Sequence, residues 1–172
     1  MPNSPSSFIA VQPEGHHLAE LNIATARGDM DAPIMQEFVN ALDQVNAIAD
    51  RSPGFVWRQQ DESGNATGIT YTKDPRAITN LSVWETAQDF EHYVWNTVHR
   101  RFMQKGDDWF LPRTDRYFVM WWVPIGHEPT LEEALERLAM INAEGPGHDA
   151  FVWSSLPGQR LWQTLDAPPR TS

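Results

Sequence analysis

The side chains of this 172-residue chain that could move protons or steady a developing charge fall into a few patterned groups. His92, Asn96, His99 and Met103 recur at helical spacing, as one stripe beside an apolar one. An imidazole placed there suits proton transfer near neutral pH. Asn80, Ser82 and Trp84 alternate and so share one face of a strand, and Asn22 belongs to another alternating segment. Small polar groups where a core would take Val or Ile either line a cavity or meet buried partners, because an unsatisfied buried amide costs ~1–3 kcal/mol. The chemistry this set offers is proton movement by His99, with Asn80 and Asn22 holding an oxyanion.

Eight Trp exceed what packing alone usually needs in a chain of this size. Singly each reads as core; as a set beside polar neighbours, Trp57, Trp84, Trp109 and Trp121, with Tyr93, could wall a pocket for a flat ligand. Arg58 follows Trp57 and points to the opposite sheet face, toward an acidic ligand or toward Glu20 or Glu85 on a neighbouring strand, with a structural ion pair favoured. The pairs His16-His17 and His127-Glu128 lack a third ligand at a recognisable spacing, so no metal site is expected. HExxH, GxGxxG, P-loop and GxSxG motifs are absent, and with no Cys there is no thiol chemistry.

A formal charge of −10 sets the surface field against phosphate backbones and anionic lipid, so neither nucleic acid nor membrane is an expected partner. No apolar stretch approaches the roughly 20 residues that span a bilayer. Residues 1–15 have neither the basic start nor the apolar run of a signal peptide, which makes the cytoplasm the default location. They read as an irregular lead to a single domain over 16–154, followed by a Pro-containing tail over 155–172.

The positioning elements follow from periodicity. Residues 17–26 alternate as a first strand, with Leu18, Glu20 and Asn22 on one face and Ala19, Leu21 and Ile23 on the other. Ile34, Phe38, Leu42, Val45 and Ile48 mark a helix that Ser52-Pro53-Gly54 ends. Residues 55–60 and 77–84 are strand-like and form an antiparallel pair, with a hairpin loop over 61–68 leading to strand-like 69–71. A second helix opens at Thr86 and runs to about Lys105, burying Phe90, Tyr93, Val94, Thr97, Val98 and Phe102. Residues 117–124 form a fourth strand, Thr130 and Glu133 box the start of a third helix ending near Gly145, and 151–153 form a short closing strand.

This order is the α+β, ferredoxin-like split βαβ plan with an antiparallel sheet and one added C-terminal helix. Helices in that plan cover one sheet face, yet the fourth strand is apolar on both sides, which predicts a partner subunit over the second face and hence a homodimer.

The same order, with SPGFVWR at 52–58, NLSVWE at 80–85, HRRFMQKGDDWF at 99–110 and WWVPIGH at 121–127, resembles the family known as domain of unknown function 3291, from about His17 to Trp153. That family is similar to the dimeric α/β-barrel superfamily, which holds antibiotic-biosynthesis monooxygenases, haem-degrading monooxygenases and non-catalytic proteins. The resemblance implies a pocket between sheet and helices for a small-molecule ligand. It points to a cofactor-independent, monooxygenase-like oxidoreductase acting on a flat aromatic or polyketide-like substrate. In the small haem-degrading members an Asn on the first strand, a Trp near the end of the third and a His on the next helix form the site. Asn22, Trp84 and either His99 or His92 occupy similar places, although the His register departs from the pattern, so haem is the alternative cofactor. A non-catalytic ligand-binding or structural dimer is the third expectation.

Overall fold

A computed structural model describes residues 8–67, 71–96 and 99–157. Strands β1 (His16–Thr25), β2 (Phe55–Arg58), β3 (Ala77–Trp84) and β4 (Phe118–Pro124) form one antiparallel sheet in the order β2-β3-β1-β4. Helix α1 (Gln36–Arg51) joins β1 to β2. The short run α2 (Ala87–Asn96), α3 (His99–Gln104) and α4 (Gly106–Trp109) joins β3 to β4, and α5 (Leu131–Glu144) follows. This strand order and connectivity are the ferredoxin-like split βαβ arrangement, with α5 added.

The register sets the site. On one face of the sheet, Leu18 lies opposite Trp84 and Trp122, Glu20 opposite Ser82 and Met120, and Asn22 opposite Asn80 and Phe118. The ladder shifts between Phe55 and Trp57, so Phe55 and Arg58 can share this face although they are three residues apart. The opposite face carries Ala19, Leu21, Ile23, Leu81, Val83, Val119, Trp121 and Val123, packed on Ala134, Leu138 and Ile141 of α5.

The sheet face that sequence patterning assigned to a partner subunit is therefore covered by the chain's own α5. Two-sided burial of β4 is satisfied within one chain, and it supplies no argument for a dimer. Thr130 starts α5 as expected, its hydroxyl accepting the Glu133 amide at 3.1 Å.

Other boundaries differ from the sequence reading for local reasons. Pro33–Met35 forms a 3-10 turn, so α1 begins after it and Ile34 is 51% exposed instead of heading the buried stripe. A separate turn, α4, follows at Gly106, and the helix expected from Thr86 to about Lys105 is seen as α2 and α3, ending at Gln104. Its start is secured by Thr86 and Asp89, with the Asp89 amide donating to Thr86 Oγ1 at 3.1 Å and that hydroxyl donating to Asp89 Oδ2 at 2.8 Å. Gly54, at φ +80°, brings the end of α1 so close to this cap that a Cβ would lie 2.1 Å from Asp89 Oδ2. The closing strand reduces to one bridge, Phe151 against Met120, and Trp153–Ser155 is a 3-10 turn. Thr97, Val98, residues 69–70 and residues 158–172 of the tail lie outside the described residues. No helix among the described residues is long and apolar enough to cross a membrane.

Candidate functional site

The face of the sheet beneath α1 to α4 is covered by two apolar clusters instead of one. Leu18, Trp84, Phe90, Tyr93, Met120 and Phe151 belong to the first, and Ala26, Met35, Phe38 and Trp109 to the second. Between them runs a polar belt of Glu20, Ser82, Asn22 and Asn80 across the two central strands. Ser82 is buried, Asn22 is partly buried, and Asn80 is exposed even though it sits mid-strand on an inner strand, on the side that carries the helices. Solvent therefore reaches the sheet at Asn80, and this end of the belt is open.

Glu20 closes the buried end. It is 1% exposed at the centre of the sheet, its Oε1 accepting from Ser82 Oγ at 2.6 Å and its Oε2 from Asn22 Nδ2 at 3.3 Å. Ser82 Oγ in turn accepts from Trp84 Nε1 at 3.0 Å. Burial pushes the Glu20 carboxyl up to about 8, against the opposing pull of the hydrogen bonds from Ser82 and Asn22. The group is thus largely protonated at neutral pH and titrates close to it, as a proton-transfer carboxyl requires. Burial raises the Tyr93 phenol as well, with the nearby Glu20 adding to the effect.

Sequence reasoning passed over Glu20 except as a partner for Arg58. The available signal was a charged residue at an inward position of a strand otherwise patterned for core. Arg58 instead grips Asp50 of α1, with Nε to Oδ1 at 2.7 Å and Nη2 to Oδ2 at 3.2 Å, and donates to the Gly64 carbonyl at 2.6 Å. The expected ion pair is present with a different acid, because β2 lies at the sheet edge beside α1, and the guanidinium has acceptors on both sides.

The aromatic wall divides. Trp84 stacks on Tyr93 at 5.0 Å and meets Phe90 at 5.5 Å and Phe55 edge-on at 5.4 Å, all on the belt side of the sheet. Trp57 and Trp121 point to the other face, into the α5 cluster, so a common wall with Trp84 is not formed. Trp121 Nε1 meets Glu133 Oε2 at 3.4 Å, and Glu133 also takes His127 Nε2 at 3.0 Å, in place of the His127-Glu128 pairing weighed from sequence. Trp109 sits in the second belt-side cluster against Phe38. A separate concavity of about 450 Å³ lies between Tyr71 and the outer side of α5, lined by Leu131, Leu135 and Ala139 with Glu132 and Glu136, across the sheet from the belt.

Residues 17–165 match the family described as Domain of unknown function (DUF3291). The chain belongs to that family. No curated protein matches this DUF3291 chain. Solved structures similar to it include a Nitrosomonas europaea protein named as an antibiotic biosynthesis monooxygenase, at 17% identity and TM-score 0.45, covering 70% of this chain and 99% of that one. A second is SnoaB, a cofactor-independent oxygenase from Streptomyces nogalater, at 15% identity and TM-score 0.42, covering 67% and 96%. A third is a protein of unknown function from Nitrosomonas europaea, at 8% identity and TM-score 0.44, covering 69% and 97%.

The two histidines weighed as haem ligands stand in different surroundings. A haem site needs an imidazole nitrogen directed into an apolar slot. His92 lies on the exposed side of α2. The His99 ring packs on Tyr93 at 4.8 Å with Nδ1 3.3 Å from the Val94 carbonyl, and burial pulls its pKa down to about 4. Among the described residues, no group of three His, Cys, Asp or Glu could hold a metal ion.

Proposed function

We propose that this DUF3291 chain is a cofactor-independent small-molecule enzyme of the antibiotic-biosynthesis-monooxygenase-like type, with Glu20 as its proton-transfer group. The observation that carries this reading is a buried carboxyl titrating near neutrality at the closed end of a belt whose other end is open at Asn80. A base of that kind removes a proton best from a weakly acidic, flat substrate such as a phenol or an activated ring methylene. In this reading Asn22 and Asn80, which are register partners on β1 and β3, hold the oxyanion that results, and the Trp84–Tyr93 stack supplies an aromatic flank. The proton role is given to Glu20 in place of His99 because burial pulls His99 down to about 4 and leaves its imidazole a weak base.

In the oxygenation that this implies, a substrate CH2 becomes C=O. Dioxygen is the oxidant, one of its atoms entering the carbonyl and the other leaving as water. The test is oxygen uptake with a panel of anthrone-like and polyphenolic compounds and no added metal or flavin. Turnover that falls at least about 100-fold in Glu20→Gln supports the role. A panel left unoxidised by the wild-type protein, or oxidised equally well by Glu20→Gln, rejects it.

A further inference from the structure

The donors behind Glu20 have a fixed direction. An indole N–H can only donate, so the contact of Trp84 Nε1 with Ser82 Oγ occupies a lone pair of the hydroxyl and leaves its proton for Glu20 Oε1. Trp84 is held in place by Phe55, Phe90 and Tyr93. Oε1 can therefore stay an acceptor whether the carboxyl is ionised or not, and the proton of the neutral acid is then carried on Oε2. That oxygen faces the Asn22 amide, on the side of the belt that leads to exposed Asn80. An amide presents an oxygen as well as a nitrogen, so Asn22 can meet Oε2 in either state by turning over.

We propose that Ser82, oriented by the Trp84 indole, is a positioning residue that keeps the exchangeable proton of Glu20 on Oε2, toward Asn22 and the open end of the belt. The assignment rests on the proton-transfer role given to Glu20 above. It also accounts for Trp at position 84, where Phe would stack on Tyr93 but could not orient a hydroxyl.

The experiment follows Glu20 itself in the full chain, by carbon-13 NMR titration of labelled glutamate and by the infrared band of the protonated carboxyl. Ser82→Ala removes a hydrogen bond from the ionised form and raises the titration midpoint by about one pH unit. Trp84→Phe frees the hydroxyl to turn and broadens or splits the infrared band, whereas Ser82→Thr keeps the wild-type midpoint and a single band. A purely structural Ser82 would lower the melting temperature in Ser82→Ala and leave both signals unchanged, which overturns the proposal. Should Ser82→Ala not fold, an infrared band unchanged in Trp84→Phe overturns it alone. Shifted Glu20 signals together with full oxygen uptake by Glu20→Gln would uphold the positioning role and reject the enzymatic one. Unchanged signals with uptake lost in Glu20→Gln would do the reverse.

Discussion

Glu20 and Ser82 face each other across β1 and β3, and their side chains close to 2.6 Å in the middle of the sheet. A buried carboxyl is tolerated there because both of its oxygens have donors, and even so burial outweighs those donors and leaves the acid largely protonated near neutrality. The same face holds His99 in its neutral form. Together the two groups give the fold an unusual response to pH.

Between its ordinary value of 4.5 and about 8, Glu20 binds more protons folded than unfolded, so stability falls as pH rises through that window, by up to ~1.4 kcal/mol per unit. His99 acts in the opposite sense. Its folded value of about 4 lies below its ordinary 6.5, so its contribution rises with pH between those values. The two trends offset each other from about 4.5 to 6.5, and the Glu20 decline stands alone from 6.5 to 8. Melting temperatures across this range check it: Glu20→Gln should remove the decline above pH 6.5, and His99→Gln should extend it downward.

Arg58 is held in an ion pair that ties β2 to α1. Its side chain is 11% exposed and forked on an Asp50 that is 43% exposed, with Gly64 as a third acceptor. Arg58→Met should cost about 1–3 kcal/mol in urea denaturation. Arg58→Lys should recover little of that, since an ammonium cannot make the two parallel bonds. Ligand-dependent oxygen uptake per folded molecule should stay at the wild-type level in both.

Gly54 ties α1 to the start of α2. Its left-handed backbone and the Asp89 carboxylate at the position of its missing Cβ make Gly54→Ala strained in two ways. A loss exceeding ~1 kcal/mol is expected, with the Thr86–Asp89 cap displaced. Asp89→Gly in the same background should recover part of the loss by removing the clash, which thermal denaturation of the double variant reads directly.

The α5 cover carries substantial stability. Leu138 is buried against the sheet with Ala134 and Ile141, so Leu138→Ala should cost about 2–5 kcal/mol by chemical denaturation. A variant that lost stability only at low protein concentration would instead place a second subunit in that core.

Strand and helix placement was largely legible, because alternation over β1 and β3 and helical spacing in α1 and α5 are carried by many residues each. The separate helical turn at Gly106–Trp109 was not legible, since no side-chain cap marks its start. Site assembly was harder to read. Alternation told that Trp57 and Arg58 oppose each other, but which face of β2 matches which face of β3 depends on the irregular register between Phe55 and Trp57, and so Trp57 and Trp84 could not be separated. The covering of β4 by α5 was hidden for a related reason. An added helix has no preset face to pack on, and only tertiary structure shows that Ala134, Leu138 and Ile141 meet Val119, Trp121 and Val123.

The belt between the two apolar clusters leaves a seam in the molecule's own packing. Joining the clusters with Leu at Glu20 and Val at Asn22 and Asn80 would follow the logic of a better core, and the resulting protein should melt higher than the natural one. The acid at Glu20 and the amides at Asn22 and Asn80, where a tighter core would take hydrocarbon, represent the stability that the proposed proton-transfer role would cost this fold.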